Sequence, residues 1–570
     1  MFLTKVSVAV KNLIIIQCSW VYKERKLRQK PINIHHGNCL YFTIAVLALS
    51  TLFLYRCGSR PKNDNFILIT LDTQREDYIS AYSLENASTP NIDFLAEKGI
   101  LYENCFSLIP ITLPSHASIF FSQPPNMVKN YNNAQIINTK RKRPSFVSVF
   151  RGHEYTTAAF VSLGVLKSKF GLGEAFDFYE EEFPQGLWYL SAEEVNKKVF
   201  PWLEQNKNKK FFLWIHYSDP HDPYAPPHSA PDLRLYLNDE LIKELCLNKY
   251  KKHELILNLK KGKSRLRLEV ENEFKRRPGR FQARFNIFDF SPAPDQKDLK
   301  IHLTRGWLIQ RERSSFLCKK NAWVEIESKY PPPPIKLTFR GKLIPTLNGT
   351  RELYKREVEY MDNEIGKLWD KLRELRLFNK THILMVGDHG EGLGEYQSHM
   401  GGWHIGHIHF LYNIYMKVPL IIYNPQASLN GIRKKAPVTL LDIAPTIMEI
   451  MNFEKLSSFQ GRNILFLKDD EELVILEETY TPEAGRDKFA LLKFPWHLII
   501  TPEKRQYELF NLRDDPEEKK NIYQKDKLPQ EAAALKQKLD SLALEILKGK
   551  VEVKIDEKSK EILRALGYIK

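Results

Sequence analysis

Phe66-Ile67-Leu68-Ile69-Thr70-Leu71-Asp72-Thr73 (residues 66–73) decides how this chain is read. Phe66–Leu71 is a short apolar run without polar alternation, the signature of a strand buried on both faces of a parallel sheet. It ends on a carboxylate, Asp72. Far downstream, His382–Val386 repeats the pattern and runs into Gly387-Asp388-His389-Gly390. Phe146–Val149, Thr156–Val161, Phe211–His216 and Val418–Ile422 supply further strand candidates. Between them Thr89-Pro90 opens an amphipathic helix, with proline at a tolerated early position. Ala192–Gln205, Val358–Leu375 and Leu440–Met451 also read as helices. Strands alternating with helices predict an α/β fold, a mainly parallel sheet sandwiched by helices. Ligands of such sheets gather at the carboxyl ends of the strands, where Asp72 and Asp388 fall.

At 570 residues the chain exceeds one small core. Its 43% hydrophobic and 12% aromatic content is that of a folded protein. The net charge of +16 invites a nucleic-acid reading, but no zinc-finger, RRM or basic-zipper pattern accompanies it, and no nucleic-acid partner is expected. Six cysteines without a C-x-x-C pair argue against a disulfide-stapled scaffold and leave room for a single bridge such as Cys246–Cys318.

Cys39–Tyr55 is an uncharged apolar run of 17 residues, at the short end for a membrane span. Seven Lys and Arg residues precede it, with Glu24 as the single acid. The positive-inside rule then keeps the N-terminus cytoplasmic and exports the body to the periplasm or exterior. Tyr55-Arg56-Cys57 lacks the small residues of a cleavage site, which favours a signal anchor over a cleaved peptide. The expected organisation is a basic cytoplasmic tail (1–38), a transmembrane signal anchor (39–56), a first part of the catalytic core (63–228), an inserted basic β-rich module (229–345), a second part of the core (346–525) and a C-terminal helical segment (526–570). The insert is read from short, often alternating apolar runs such as Leu266–Val270, closed by Pro331–Pro334. Residues 241–300 carry 16 Lys and Arg against 8 Asp and Glu, suited to an anionic polymer or membrane headgroups.

Ile111-Thr112-Leu113-Pro114-Ser115-His116 offers a hydroxyl just before a Pro-Ser-His turn. Asp388-His389 juxtaposes oxygen and nitrogen ligands of the kind that suit a divalent metal, and the neighbouring glycines let backbone approach closely. Trp403–His409 adds His404, His407 and His409, and Asp219–Tyr224 adds His221 in a proline-ordered loop after a strand. Two strand-end acids, imidazoles and an alcohol describe a metal-activated nucleophile.

With these residues in view the chain resembles the sulfatase family of the alkaline phosphatase superfamily. Asp72-Thr73 resembles the family's first metal site, Thr112-Leu113-Pro114-Ser115-His116 its nucleophile motif, Asp219–Tyr224 the loop whose histidine contacts the ester, and Gly387–Glu391 its second metal site. The likeness spans about 66–225 and 350–570 and leaves out the β insert. It implies metal ligation by Asp72, Asp388 and His389, catalytic roles for Thr112, His116 and His221, and substrate binding by His407 and His409. Four departures stand out, one of them His116 in the place of the motif's arginine. Thr112 occupies the place of the Cys or Ser that becomes formylglycine, which points to a direct alkoxide nucleophile. Thr73 and His389 replace a ligand aspartate and asparagine. A nitrogen-containing set favours zinc or manganese over calcium.

The leading expectation is a membrane-anchored metallohydrolase of phosphate or sulfate esters, its partner an anionic ester on a glycan or lipid headgroup. The alternatives are a phosphotransferase moving a lipid headgroup onto a glycan, and an inactive anionic-glycan-binding protein.

Overall fold

A computed structural model describes residues 64–570 apart from 134, 138–143, 185–187, 223, 225–232, 246–252, 271–281, 292–298, 306, 311–314, 319–320, 329–333, 345–346, 398–401, 427–430, 481–485 and most of 551–570. Among the described residues no helix is long and apolar enough to cross a membrane, and the Cys39–Tyr55 run lies outside them.

The centre is a nine-stranded sheet in the order Ile432–Lys434, Ile100–Phe106, Lys417–Tyr423, Thr381–Gly387, Asn65–Leu71, Phe211–Tyr217, Thr156–Phe160, Phe178–Glu180, with Val438–Thr439 added beside Ile100–Phe106. Every pairing is parallel except those of Lys417–Tyr423, which runs antiparallel to both neighbours. The three central strands are buried at all seven positions. Because successive side chains point to opposite faces, Phe66 and Leu68 enter one core with Phe212, Trp214, Leu384 and Val386. Ile67, Ile69 and Leu71 enter the other with Leu213, Ile215, Ile383 and Met385. Helices Pro90–Lys98, Ala192–Asn206 and Leu347–Glu374 cover the second face; Thr112–Phe121, Phe146–Gly152 and Ile443–Ile450 cover the first.

Two local expectations are corrected. Phe146–Val149 is helical, because Ser145 caps it by accepting from the Val147 N–H at 3.1 Å. The Pro-Ser-His turn is the start of helix Thr112–Phe121. Pro114 sits in its first turn, where a missing N–H has no intrahelical partner to lose, and the ladder begins with the Ser115 N–H on Ile111 O at 3.0 Å.

Residues 233–344 form two five-stranded antiparallel sheets. One core joins them, with Leu235, Leu266, Leu268 and Val324 from one sheet against Leu257, Ile335, Leu337 and Phe339 from the other. A four-stranded antiparallel sheet, Ile475–Thr479, Lys488–Lys493, Trp496–Thr501 and Gln506–Asn511, follows the central sheet. Helix Gln530–Gly549 packs Leu535, Leu539 and Ile546 on Leu498, Ile500 and Leu509 of this sheet. The other face of the sheet holds Phe410, Leu411 and Tyr415 and so supports the segment bearing His404, His407 and His409.

Candidate active site

Register brings the strand-end residues together. Leu71 pairs with Gly387 on one side and Tyr217 on the other, so Asp72, Asp388 and Ser218 leave the sheet at one edge. The ladder runs one residue further on each side. The Asp72 N–H donates to Tyr217 O at 2.9 Å and the Asp388 N–H to Leu71 O at 3.2 Å. Thr73 then takes a left-handed conformation, φ 53°, uncommon for a β-branched residue. It is held there by its N–H on Asp388 Oδ1 (3.1 Å), its hydroxyl on Asp72 O (2.7 Å) and the Tyr354 hydroxyl donating to Thr73 O (2.7 Å). Past His389 the chain passes so close to Ile414 that a Cβ on Gly390 would lie 2.0 Å from that residue's carbonyl oxygen. Ser115 Oγ donates to Asp388 O at 2.7 Å, tying the Thr112 helix to the strand end.

Asp72, Asp388 and His389 are fully buried, and one ligand atom from each lies within 4.8 Å of the others. Asp388 Oδ1 accepts from the N–H groups of His389 (2.7 Å) and Thr73. Both Asp72 oxygens and Asp388 Oδ2 are buried without a hydrogen-bond partner. His216 Nε2 stands 3.3 Å from Asp72 Oδ2, while its Nδ1 is 2.7 Å from Ser162 Oγ. Burial, then the Asp72 charge, pushes the Asp388 carboxyl well above its usual range. Burial also works against the charged form of Asp72, but His216, His221 and His389 outweigh it and hold that carboxyl low. Buried carboxylate oxygens without donors are costly. A divalent cation held by this oxygen and nitrogen set would satisfy them, so the residues fit a metal.

Thr112, the first residue of its helix, places Oγ1 3.4 Å from His389 Nε2. His389 Nδ1 lies 3.0 Å from Gly390 O. A carbonyl only accepts, so the proton sits on Nδ1 and the Nε2 lone pair faces the cluster. Burial, reinforced by His407, pushes His389 down to about 3 and keeps it neutral. His116 is equally buried, with Nδ1 2.8 Å from Thr112 O and Nε2 3.0 Å from Thr70 Oγ1. Burial and His216 push it to about 3. Both nitrogens face backbone and hydroxyl partners.

His221 and His407 meet with ring centroids 5.3 Å apart, and His407 and His389 at 4.5 Å. These three imidazoles form a continuous string. His221 Nδ1 lies 2.7 Å from Asp222 O. His407 Nδ1 lies 2.8 Å from Glu391 Oε2, whose other oxygen accepts from the Tyr224 hydroxyl at 2.8 Å. Burial pushes Glu391 up to about 8 and His407 down to about 3. His409 parts from His407. It packs edge-on against His404 at 5.4 Å, and His404 Nδ1 lies 3.0 Å from the Tyr415 hydroxyl. His216 and Glu391 were not singled out from the sequence. The available signals were the strand end for His216, opposite Thr70 in register, and the Gly-Asp-His-Gly-Glu run for Glu391.

A mixed sheet with buried carboxylates and an imidazole at its strand ends, faced by a helix-borne hydroxyl, defines a hydrolase of the alkaline phosphatase superfamily. The sulfatase family model matches residues 64–453, and the chain belongs to the sulfatase family, whose enzymes are generally metal-dependent hydrolases of sulfate or phosphate esters. A second model, the C-terminal region of N-sulphoglucosamine sulphohydrolase, matches residues 401–545. The N-acetylglucosamine-6-O-sulfatase of Bacteroides thetaiotaomicron is 23% identical over 539 residues, covering 87% of this chain and 89% of that one. Among solved structures, a complex with the substrate D-glucosamine-2-N,6-O-disulfate superposes with a TM-score of 0.55 at 18% identity, covering 87% of this chain and 100% of the other. The phosphonate monoester hydrolase of Agrobacterium radiobacter superposes with a TM-score of 0.54 at 13% identity, covering 87% and 98%. At these identities the superpositions show the fold alone.

Proposed function

We propose that this chain is a metal-dependent hydrolase that uses Thr112 as a direct nucleophile on a phosphate or sulfate ester. The observation that carries the reading is Thr112 Oγ1, 3.4 Å from His389 Nε2 and beside the Asp72–Asp388 pair. Asp72, Asp388 and His389 would hold the cation, zinc or manganese ahead of calcium. When bound, it would offset the carboxylate charge, lower the pKa of the Thr112 hydroxyl and draw in the anionic ester. Thr112 Oγ1 attacks phosphorus or sulfur in line, and the ester oxygen leaves with a proton. A covalent threonyl ester remains, which water cleaves. His221 and His407 bind the non-bridging oxygens or carry the leaving-group proton, with Glu391 and Tyr224 orienting His407. His116 acts beneath the site by holding Thr112, and His409 supports the substrate side through His404. The relatives that act on sulfated sugars suggest an ester carried on a glycan.

The same reading assigns Cys39–Tyr55 as a signal anchor with the body outside the cytoplasm, and residues 229–345 as an inserted basic module on the catalytic core. The test is metal content together with turnover of aryl sulfate, phosphate monoester and phosphodiester substrates by the full chain, Thr112→Ala and Asp388→Ala. Metal-bound, active wild type with both variants silent is the expected result. Turnover surviving Thr112→Ala would overturn the nucleophile assignment.

A further inference from the structure

The edge of the central sheet opposite the active site carries a second feature. Lys98, Arg373, Arg376 and Lys380 line an open groove of about 650 Å³ over Phe378 and Tyr423. The four cations are exposed, while the two aromatics are nearly buried and form the floor. The Arg373 guanidinium lies 5.2 Å from the Phe378 ring centroid and also pairs with the exposed Asp370 at 2.9 Å. Phe378, Asn379 and Lys380 are the residues among the lining that lead into strand Thr381–Gly387, and Tyr423 pairs with Ile383 near the start of that strand. Four like charges clustered round an apolar floor, with no acid in the lining, match an anionic headgroup whose glycerol backbone lies against the rings.

The chain enters the fold at this same edge. Asn65 pairs with Thr381, the residue after Lys380. Asp64 is fixed there by His382 Nε2 at 3.3 Å and by the Gln426 amide, which donates to it. Only residues 56–63 separate Asp64 from the apolar run ending at Tyr55. Fully extended, that link spans roughly 30 Å. A bilayer holding Cys39–Tyr55 is therefore within reach of the groove.

We propose that this groove seats anionic phospholipid headgroups of the membrane that holds the chain's own N-terminal run. The proposal rests on the signal-anchor reading given above. The full chain is reconstituted into phosphatidylcholine vesicles with or without phosphatidylglycerol, and amine labelling of Lys98 and Lys380 is read by mass spectrometry against exposed Lys520. Alkaline carbonate washing tests the anchor separately.

The expected result is retention through the wash, with labelling of both lysines lowered about fivefold by phosphatidylglycerol, the factor one basic residue contributes at an anionic surface. High salt should restore the labelling. The charge-reversal variant Arg373→Glu/Arg376→Glu should lose the protection while hydrolysing a soluble ester at the wild-type rate. Retention with equal labelling in both vesicles overturns the groove and leaves the anchor standing. Release by carbonate, with protection on added anionic vesicles, overturns the anchor and leaves the groove. Protection by millimolar inorganic phosphate in neutral vesicles replaces the lipid with a free-anion site, and protection that survives the charge reversal also refutes the proposal.

Discussion

Two buried clusters in this protein use the same parts, two carboxylates and an imidazole, to opposite ends. In the C-terminal sheet, His497 lies between Glu477 and Glu518, with Nε2 3.1 Å from Glu477 Oε2 and Nδ1 2.5 Å from Glu518 Oε1. Burial alone would push that imidazole down, but the charges and hydrogen bonds of Glu518 and Glu477 outweigh it and raise it to about 10. At the central sheet edge, His389 instead turns Nδ1 to a backbone carbonyl and stays neutral beside Asp72 and Asp388. The first cluster generates its own cation. The second withholds one, and three of its four carboxylate oxygens are left without a donor. What separates the two clusters is the partner of one ring nitrogen, not the composition.

The comparison breaks most visibly in activity. Thr112→Ala should lower turnover by about 10⁴-fold or more, as removal of a nucleophile does, with metal content and melting temperature near wild type. His497→Gln should leave turnover per folded molecule close to wild type and instead lower stability by about 3–5 kcal/mol, the cost of stripping the cation from a buried ionic cluster. Denaturant unfolding alongside kinetics separates the two effects. A His497 variant that lost activity at full stability would show the triad to be more than a structural tie.

The pH profile sharpens the contrast. A histidine raised from 6.5 to about 10 by folding contributes stability that is fully present below pH 6.5 and is lost as pH climbs through 10. The wild-type chain should therefore lose stability across that window more steeply than His497→Gln. His389, already neutral when folded, adds no such loss. At the candidate metal site the opposite sign is expected for deletion of a carboxylate. Asp388→Asn should stabilise the metal-free protein by about 1–3 kcal/mol by removing a carboxyl whose ionisation burial and the Asp72 charge oppose. It should also abolish the destabilisation that a chelator causes in the wild type. Melting curves with and without chelator test both halves.

Much of this contrast was legible in the sequence, for a definite reason. Asp72 and Asp388 end uninterrupted apolar runs, and parallel pairing brings such ends to one edge. His389 is covalently tied to Asp388. The Thr112–His389 contact joins residues 277 apart in sequence, and the motif resemblance, more than any local pattern, pointed to it. The resemblance gave His116 a catalytic role; its two nitrogens lie against Thr112 O and Thr70 Oγ1, partners that only the packed helix supplies. Phe146–Val149 misled because a four-residue run carries no readable period and the Ser145 cap decides it. Strand Glu240–Leu245 is mostly exposed and shows no alternation to read. His497 gave no signal at all, since Glu477 and Glu518 approach it only through sheet pairing and a returning loop.

The smallest expected effect lies at Glu391, where the two kinds of cluster come closest to each other. Like Glu518, it holds an imidazole through Nδ1; unlike Glu518, its own carboxyl is pushed up by burial to about 8, and Tyr224 bonds its second oxygen. Glu391→Gln keeps the shape and one acceptor oxygen but cannot exchange a proton with His407. If His407 moves a proton during turnover, kcat should fall about tenfold, roughly 1.4 kcal/mol of barrier, while KM and metal content stay near wild type. The loss should be greatest for substrates with poor leaving groups, which need the proton, and should shrink for an aryl ester. An equal loss on both ester types, or a rise in KM alone, would reduce Glu391 to a packing role and make its cluster a structural triad after all.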